Sequence, residues 1–74
     1  MKELTVEITT EYIKLDQLLK FSGLAYSGSD AKDMVLSEMV EIDGEICTMR
    51  GKKMRPGDSC EVHFEDETVT VKVE

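Results

Sequence analysis

Leu15-Asp16-Gln17-Leu18-Leu19-Lys20, Gly23, Ser27-Gly28-Ser29-Asp30-Ala31-Lys32 and Val40-Glu41-Ile42-Asp43-Gly44-Glu45 together decide the fold of this chain. Leu15, Leu18 and Leu19 recur at helical spacing and predict a first helix over about residues 14–21, with these leucines as its buried stripe. Asp16 falls in the first turn, where a carboxylate complements the positive end of the helix dipole. Gly23 suits the left-handed residue that ends such a helix. Ser27 is a good N-cap for a second helix, and Asp30, three residues on, resembles the partner of a capping box. That helix is expected to run to about Glu38, burying Ala31, Met34 and Val35 with Leu36 flanking. Asp43-Gly44 between two short β-prone runs is a hairpin signal, because both turn residues must accept a positive φ.

Outside this stretch the period changes from helix to strand. Leu4-Thr5-Val6-Glu7-Ile8 alternates and predicts a strand. Pro56-Gly57-Asp58 marks a turn, and Cys60–Phe64 and Thr68–Val73 read as an antiparallel pair around the acidic turn Glu65-Asp66-Glu67. The order strand, helix, helix, four strands predicts an α+β fold, with two short helices packed on a small, mainly antiparallel sheet. Residues 1–74 are expected to form one domain, since 74 residues leave no room for a second core. A domain of this size buries about 60% of the surface its unfolded chain exposes.

Composition narrows the function. No apolar run approaches the roughly 20 residues that cross a bilayer, and the acidic N-terminus is unlike a secretory signal, so a cytoplasmic protein is expected. Cys47 and Cys60 are too few for a secreted disulfide scaffold and are expected to be buried thiols. With His63 alone they make no zinc set, and His63, between Val62 and Phe64, is expected to face water. There is no nucleophile with an orienting base and acid, no phosphate-cradling glycine motif and no metal-ligand cluster. No enzyme activity, cofactor or metal is therefore expected, and Glu65-Asp66-Glu67 reads as a solvated hairpin tip. Tyr12, Phe21, Tyr26 and Phe64 are too few for a single-strand stacking platform; for the two tyrosines, which flank the helices, core packing is the first reading and stacking on a base the second.

The formal charge is -7, yet it is unevenly spread. Arg50-Gly51-Lys52-Lys53-Met54-Arg55 holds four of the nine bases and none of the sixteen acids, leaving -11 on the other 68 residues. A ligand responds to the field within about a Debye length, roughly 8 Å at physiological salt, more than to the total. Charge runs usually just keep a loop wet. Against that reading, Gly51 permits close backbone approach, Arg50 and Arg55 can fork around phosphate, and Lys52 and Lys53 add point charges. Gln17 and Lys20 share a helix face with Lys14 one turn earlier, and Lys32 lies near the amide-rich start of the second helix. Each alone is an ordinary solubilising side chain; together they suggest a surface for a phosphate backbone.

These residues, with Pro56-Gly57-Asp58, resemble the alpha-L RNA-binding domain named after ribosomal small-subunit protein S-four, in its short stand-alone bacterial form. The matching positions run from about Ile13 to Val62. The resemblance implies non-catalytic binding to structured or double-stranded RNA, ribosomal RNA included. Carried over by position, it implies RNA contacts at Lys14, Gln17, Lys20, Ser27, Lys32, Arg50, Lys52 and Lys53; the basic run adds Arg55. Many members carry arginine after the serine of the second helix. Gly28 stands there, which shifts the expected weight to Lys32 and the loop. An A-form duplex suits such a surface, since it is recognised by shape, phosphates and 2′-hydroxyls more than by base edges. The expected protein is a monomer. The alternative is a protein–protein interaction module that docks a partner through its acidic surface.

Overall fold

Thr68-Val69-Thr70-Val71-Lys72-Val73 shows in one strand how the sheet is built: Val69, Val71 and Val73 are buried while Thr68, Thr70 and Lys72 face outward. The structure is a computed structural model that describes residues 2–74. Its elements are β1 (Lys2–Val6), β2 (Ile13–Lys14), α1 (Leu15–Phe21), α2 (Gly28–Leu36), β3 (Val40–Ile42), β4 (Glu45–Ile46), β5 (Lys53–Met54), β6 (Ser59–His63) and β7 (Thr68–Val73). The order β1-β7-β6-β3-β4 makes a five-stranded sheet, and β2 with β5 makes a separate two-stranded ribbon. All pairings are antiparallel except β1 with β7, which is parallel and sets Leu4 beside Val71 and Val6 beside Val73. The expected α+β class holds.

The two helices cover one face of the sheet. Leu15, Leu18 and Leu19 of α1 and Ala31, Met34 and Val35 of α2 join Val40, Val62, Val69, Val71 and Val73 in one apolar cluster. The other face is polar. Cross-strand register places Glu3, Thr70, Glu61, Glu41 and Ile46 in a single row across all five strands. Most of the carboxylates on the sheet are thus separated from the helices by the core.

Local chemistry explains the boundaries. Ser27 caps α2 as expected, its Oγ accepting the Asp30 N–H at 3.2 Å. Asp30 Oδ2 in turn accepts the Tyr26 N–H at 3.0 Å, one residue earlier than a standard capping box. Asp43 and Gly44 have φ of 54° and 82°, the pair of positive values a two-residue hairpin turn needs. Gly23, at φ 87°, ends α1 with its N–H on the Lys20 carbonyl.

Several details differ from the expectation. Helix α2 stops at Leu36, short of Glu38, because Glu38 takes φ 62° and its N–H reaches the Val35 carbonyl while Met39 N–H reaches that of Met34. That is a Schellman ending with glutamate in the glycine position. Helix α1 starts at Leu15, with Lys14 extended as its cap residue. Cys47 lies beyond the end of β4 and is half-buried; only Cys60 is enclosed. Lys53–Met54, read as part of a basic loop, is a short strand paired with Ile13–Lys14.

Candidate nucleic-acid interface

The first N–H groups of any helix lack intrahelical acceptors and need partners from elsewhere. In α1 no side chain of Lys14 serves this purpose. Instead the basic segment supplies the acceptors: Leu15 N–H donates to the Lys52 carbonyl at 2.9 Å, and Asp16 N–H donates to the Arg50 carbonyl at 3.0 Å. One residue earlier, Lys14 stands opposite Lys53, and Ile13 opposite Met54, in the β2–β5 ribbon. Met54 is buried in the core and pins the end of the segment, while Lys52 N–H closes a turn on the Met49 carbonyl at 3.1 Å. Residues 50–54 are therefore attached to the start of α1 by backbone bonds, and the basic run is more than a wet linker. The outward side of Gly51 is open, with nothing within 4 Å of where a Cβ would stand.

This construction sets the backbones of Lys14, Arg50, Lys52 and Lys53 next to one another. All four are exposed. Among the described residues the only Lys or Arg ion pair is Lys72 with Glu3 at 3.3 Å, on the outer sheet face. Among the described residues, none of the four holds a carboxylate within ion-pair distance. Lys53 Nζ lies over the Tyr12 ring, 5.0 Å from its centroid, a contact that orients the ammonium and keeps its charge. The acid closest in sequence, Asp16, uses its carboxylate to accept the Gln17 N–H at 2.8 Å. Asp30 is likewise engaged with the Tyr26 amide.

The remaining expected contacts spread outward from this cluster. Gln17 is half-buried in the first turn of α1, and Lys20 is exposed in the last, about 9 Å along the axis from Lys14 at 1.5 Å per residue. Ser27 caps α2 and Lys32 lies at its middle, the helix being joined to α1 by a short connection in which Ala25 N–H bonds the Leu19 carbonyl. No bond links Lys20, Ser27 or Lys32 to residues 50–54. Arg55 is exposed on the far side of Met54, where its N–H donates to Asp58 Oδ2 at 2.8 Å.

Two aromatic residues depart from the sequence reading. Tyr26 is 97% exposed and Tyr12 lies half-buried beneath Lys53, so neither is a core residue. The signal for Tyr26 was its place just before the N-cap, a position outside both apolar stripes.

Away from this surface, His63 is half-exposed as expected of an outer-face residue, but its ring is not free in water. Nδ1 is 3.2 Å from Thr68 Oγ1, and Nε2 is shielded 3.3 Å from Glu41 Oε1, at ion-pair distance without hydrogen-bond alignment. Burial pushes the Cys60 thiol up to about 12, with Cys47 and Glu61 adding to the effect. No group of His, Cys, Asp and Glu among the described residues is arranged to hold a metal ion. No described helix is long and apolar enough to cross a membrane.

Helix pair, hairpin and basic segment together define the class. The chain belongs to the S4 domain family, whose sequence model matches residues 6–72. No curated protein matches it. S4 domains generally bind RNA and are typically non-catalytic, which supports an RNA-binding role for this chain.

Proposed function

We propose that residues 1–74 act as one monomeric, non-catalytic, cytoplasmic module that grips the backbone of structured or duplex RNA, ribosomal RNA being a natural target. Lys14, Arg50, Lys52 and Lys53 take successive phosphates, with Arg55 extending the grip beyond Met54. Gln17, Lys20, Ser27 and Lys32 supply further polar and cationic contacts along the two helices. The observation that carries this reading is the pair of backbone bonds from α1 to Arg50 and Lys52, which holds a cluster of unpaired cations on a fixed support. Such a support lowers the ordering cost that a flexible basic loop meets on binding. The acidic row of Glu3, Glu41 and Glu61 lies on the opposite side of the core, while Asp43 and Glu45 share a notch with Lys52.

Backbone amide shifts recorded while an A-form RNA duplex is added test the reading. Changes are expected at residues 14–17, 27–32 and 50–55. Changes confined to Glu41, Glu61 and His63 would instead favour the outer sheet face as the working surface and a protein as its partner.

A further inference from the structure

Next to the cation cluster, and sharing Lys52 with it, lies an open notch of about 380 Å³ between the Asp43-Gly44 turn and the segment leading to Lys52. Its volume is in the range of small-ligand sites, about 300–1,000 Å³. Ile46 and Met49 line it and are 53% and 67% exposed, with the half-buried Cys47 between them in sequence. The Cys47 thiol points at the Met49 carbonyl, 3.8 Å away. Asp43 and Glu45 add two carboxylates, which among the described residues accept no hydrogen bond and pair with no cation. Lys52 lines the same notch without reaching either carboxylate within ion-pair distance. The site therefore offers apolar contact, unpaired acceptors and an unpaired cation side by side.

We propose that this notch receives one unstacked base of the bound RNA, and that it favours guanine. This rests on the RNA-binding reading above. RNA proteins read sequence chiefly at bulges, loops and ends, where a base can leave the stack and present its Watson–Crick edge. A base in the notch covers Ile46 and Met49 with its flat apolar face. Guanine alone offers the adjacent N1–H and N2–H donors that match the two oxygens of one carboxylate. Asp43, at the turn, supplies that carboxylate and Glu45 lies beside it. The phosphate attached to the same nucleotide meets Lys52, which continues the cation track from Arg50. Uracil and an abasic position lack this paired donor edge, and inosine lacks the N2 amino group.

The test uses the full chain and an RNA hairpin carrying a single bulged position: guanosine, inosine, uridine or an abasic site. Affinities are read by fluorescence anisotropy at one salt concentration. The guanosine bulge is expected to bind about tenfold tighter than the uridine or abasic ones, with inosine between. Asp43→Asn, which keeps a residue tolerant of the left-handed backbone there, should reduce the guanosine preference over the abasic site to under twofold. Ile46→Ala, at an exposed position, should weaken the three base-containing bulges and spare the abasic one. Equal affinity for all four RNAs, or a guanosine preference untouched by Asp43→Asn, overturns the base site while leaving backbone binding in place. Failure to bind any of the four overturns both this inference and the function it rests on.

Discussion

Glu38 pays for its position. A side chain at φ 62° costs about 1 kcal/mol or more, and it is held there by the two bonds that close α2. Glu38→Gly is therefore expected to stabilise the protein by about 0.5–1 kcal/mol, read as a higher urea midpoint at unchanged slope. A lower midpoint would contradict the geometry of that helix end. Cys60 sets a different dependence. Its thiol is raised from 9.0 to about 12 in the fold, so the native state keeps a proton that the unfolded chain has begun to lose. The associated stability is intact below pH 9 and lost as pH rises from 9 towards 12, by up to about 1.4 kcal/mol per unit. Comparing melting at pH 7 and 10 should show this decline in the native chain and a smaller one in Cys60→Ala. Identical pH profiles would remove Cys60 as the cause.

Among the strands and helices, the basic segment is held in place by Met54 and by its bonds to α1. Met54→Ala deletes a fully enclosed side chain from the core and should cost about 2–5 kcal/mol in denaturant unfolding. Its exposed neighbour Lys53, changed to alanine, should move stability by under about 0.5 kcal/mol. Similar costs at the two positions would show that the segment is not anchored. Ser27→Ala removes the α2 cap and should cost about 1 kcal/mol. Signals of this local kind were readable in the sequence: the Ser27 cap, the Asp43-Gly44 turn, the apolar stripe of α1 and the alternation of β6 and β7. Other features were not, each for a physical reason. The burial of Met54 is disguised by the flanking Lys52, Lys53 and Arg55 and arises from pairing with Ile13 and packing near α1, far earlier in the chain. Glu38 in a glycine conformation carries no compositional mark. The parallel partner of β1 is the last strand of the chain, and nothing within residues 2–6 specifies it.

The whole molecule separates its charges in part, since Asp16, Asp30 and Asp33 share the two helices with Lys20 and Lys32. Seven exposed cations lie on the helix pair and the basic segment, while Glu3, Glu41 and Glu61 align on the outer sheet face behind the core. The candidate contacts themselves come from the family resemblance and the basic run. Their gathering at Lys14, Arg50, Lys52 and Lys53 was not legible in the sequence, because it is made by backbone bonds between segments far apart in sequence. The notch beside Lys52 was invisible for the same reason. If four cations neutralise four phosphates of a duplex, binding releases a matching number of counterions, and log affinity falls linearly with log salt. The most direct measurement is that slope, for the native chain and for the Lys52→Gln, Lys53→Gln double variant on one A-form RNA duplex. The native slope should be about -3 to -4, roughly a hundredfold loss from 50 to 200 mM salt, and the variant's should be flatter by about two. Equal slopes for the two proteins would contradict a phosphate-gripping role for residues 50–55.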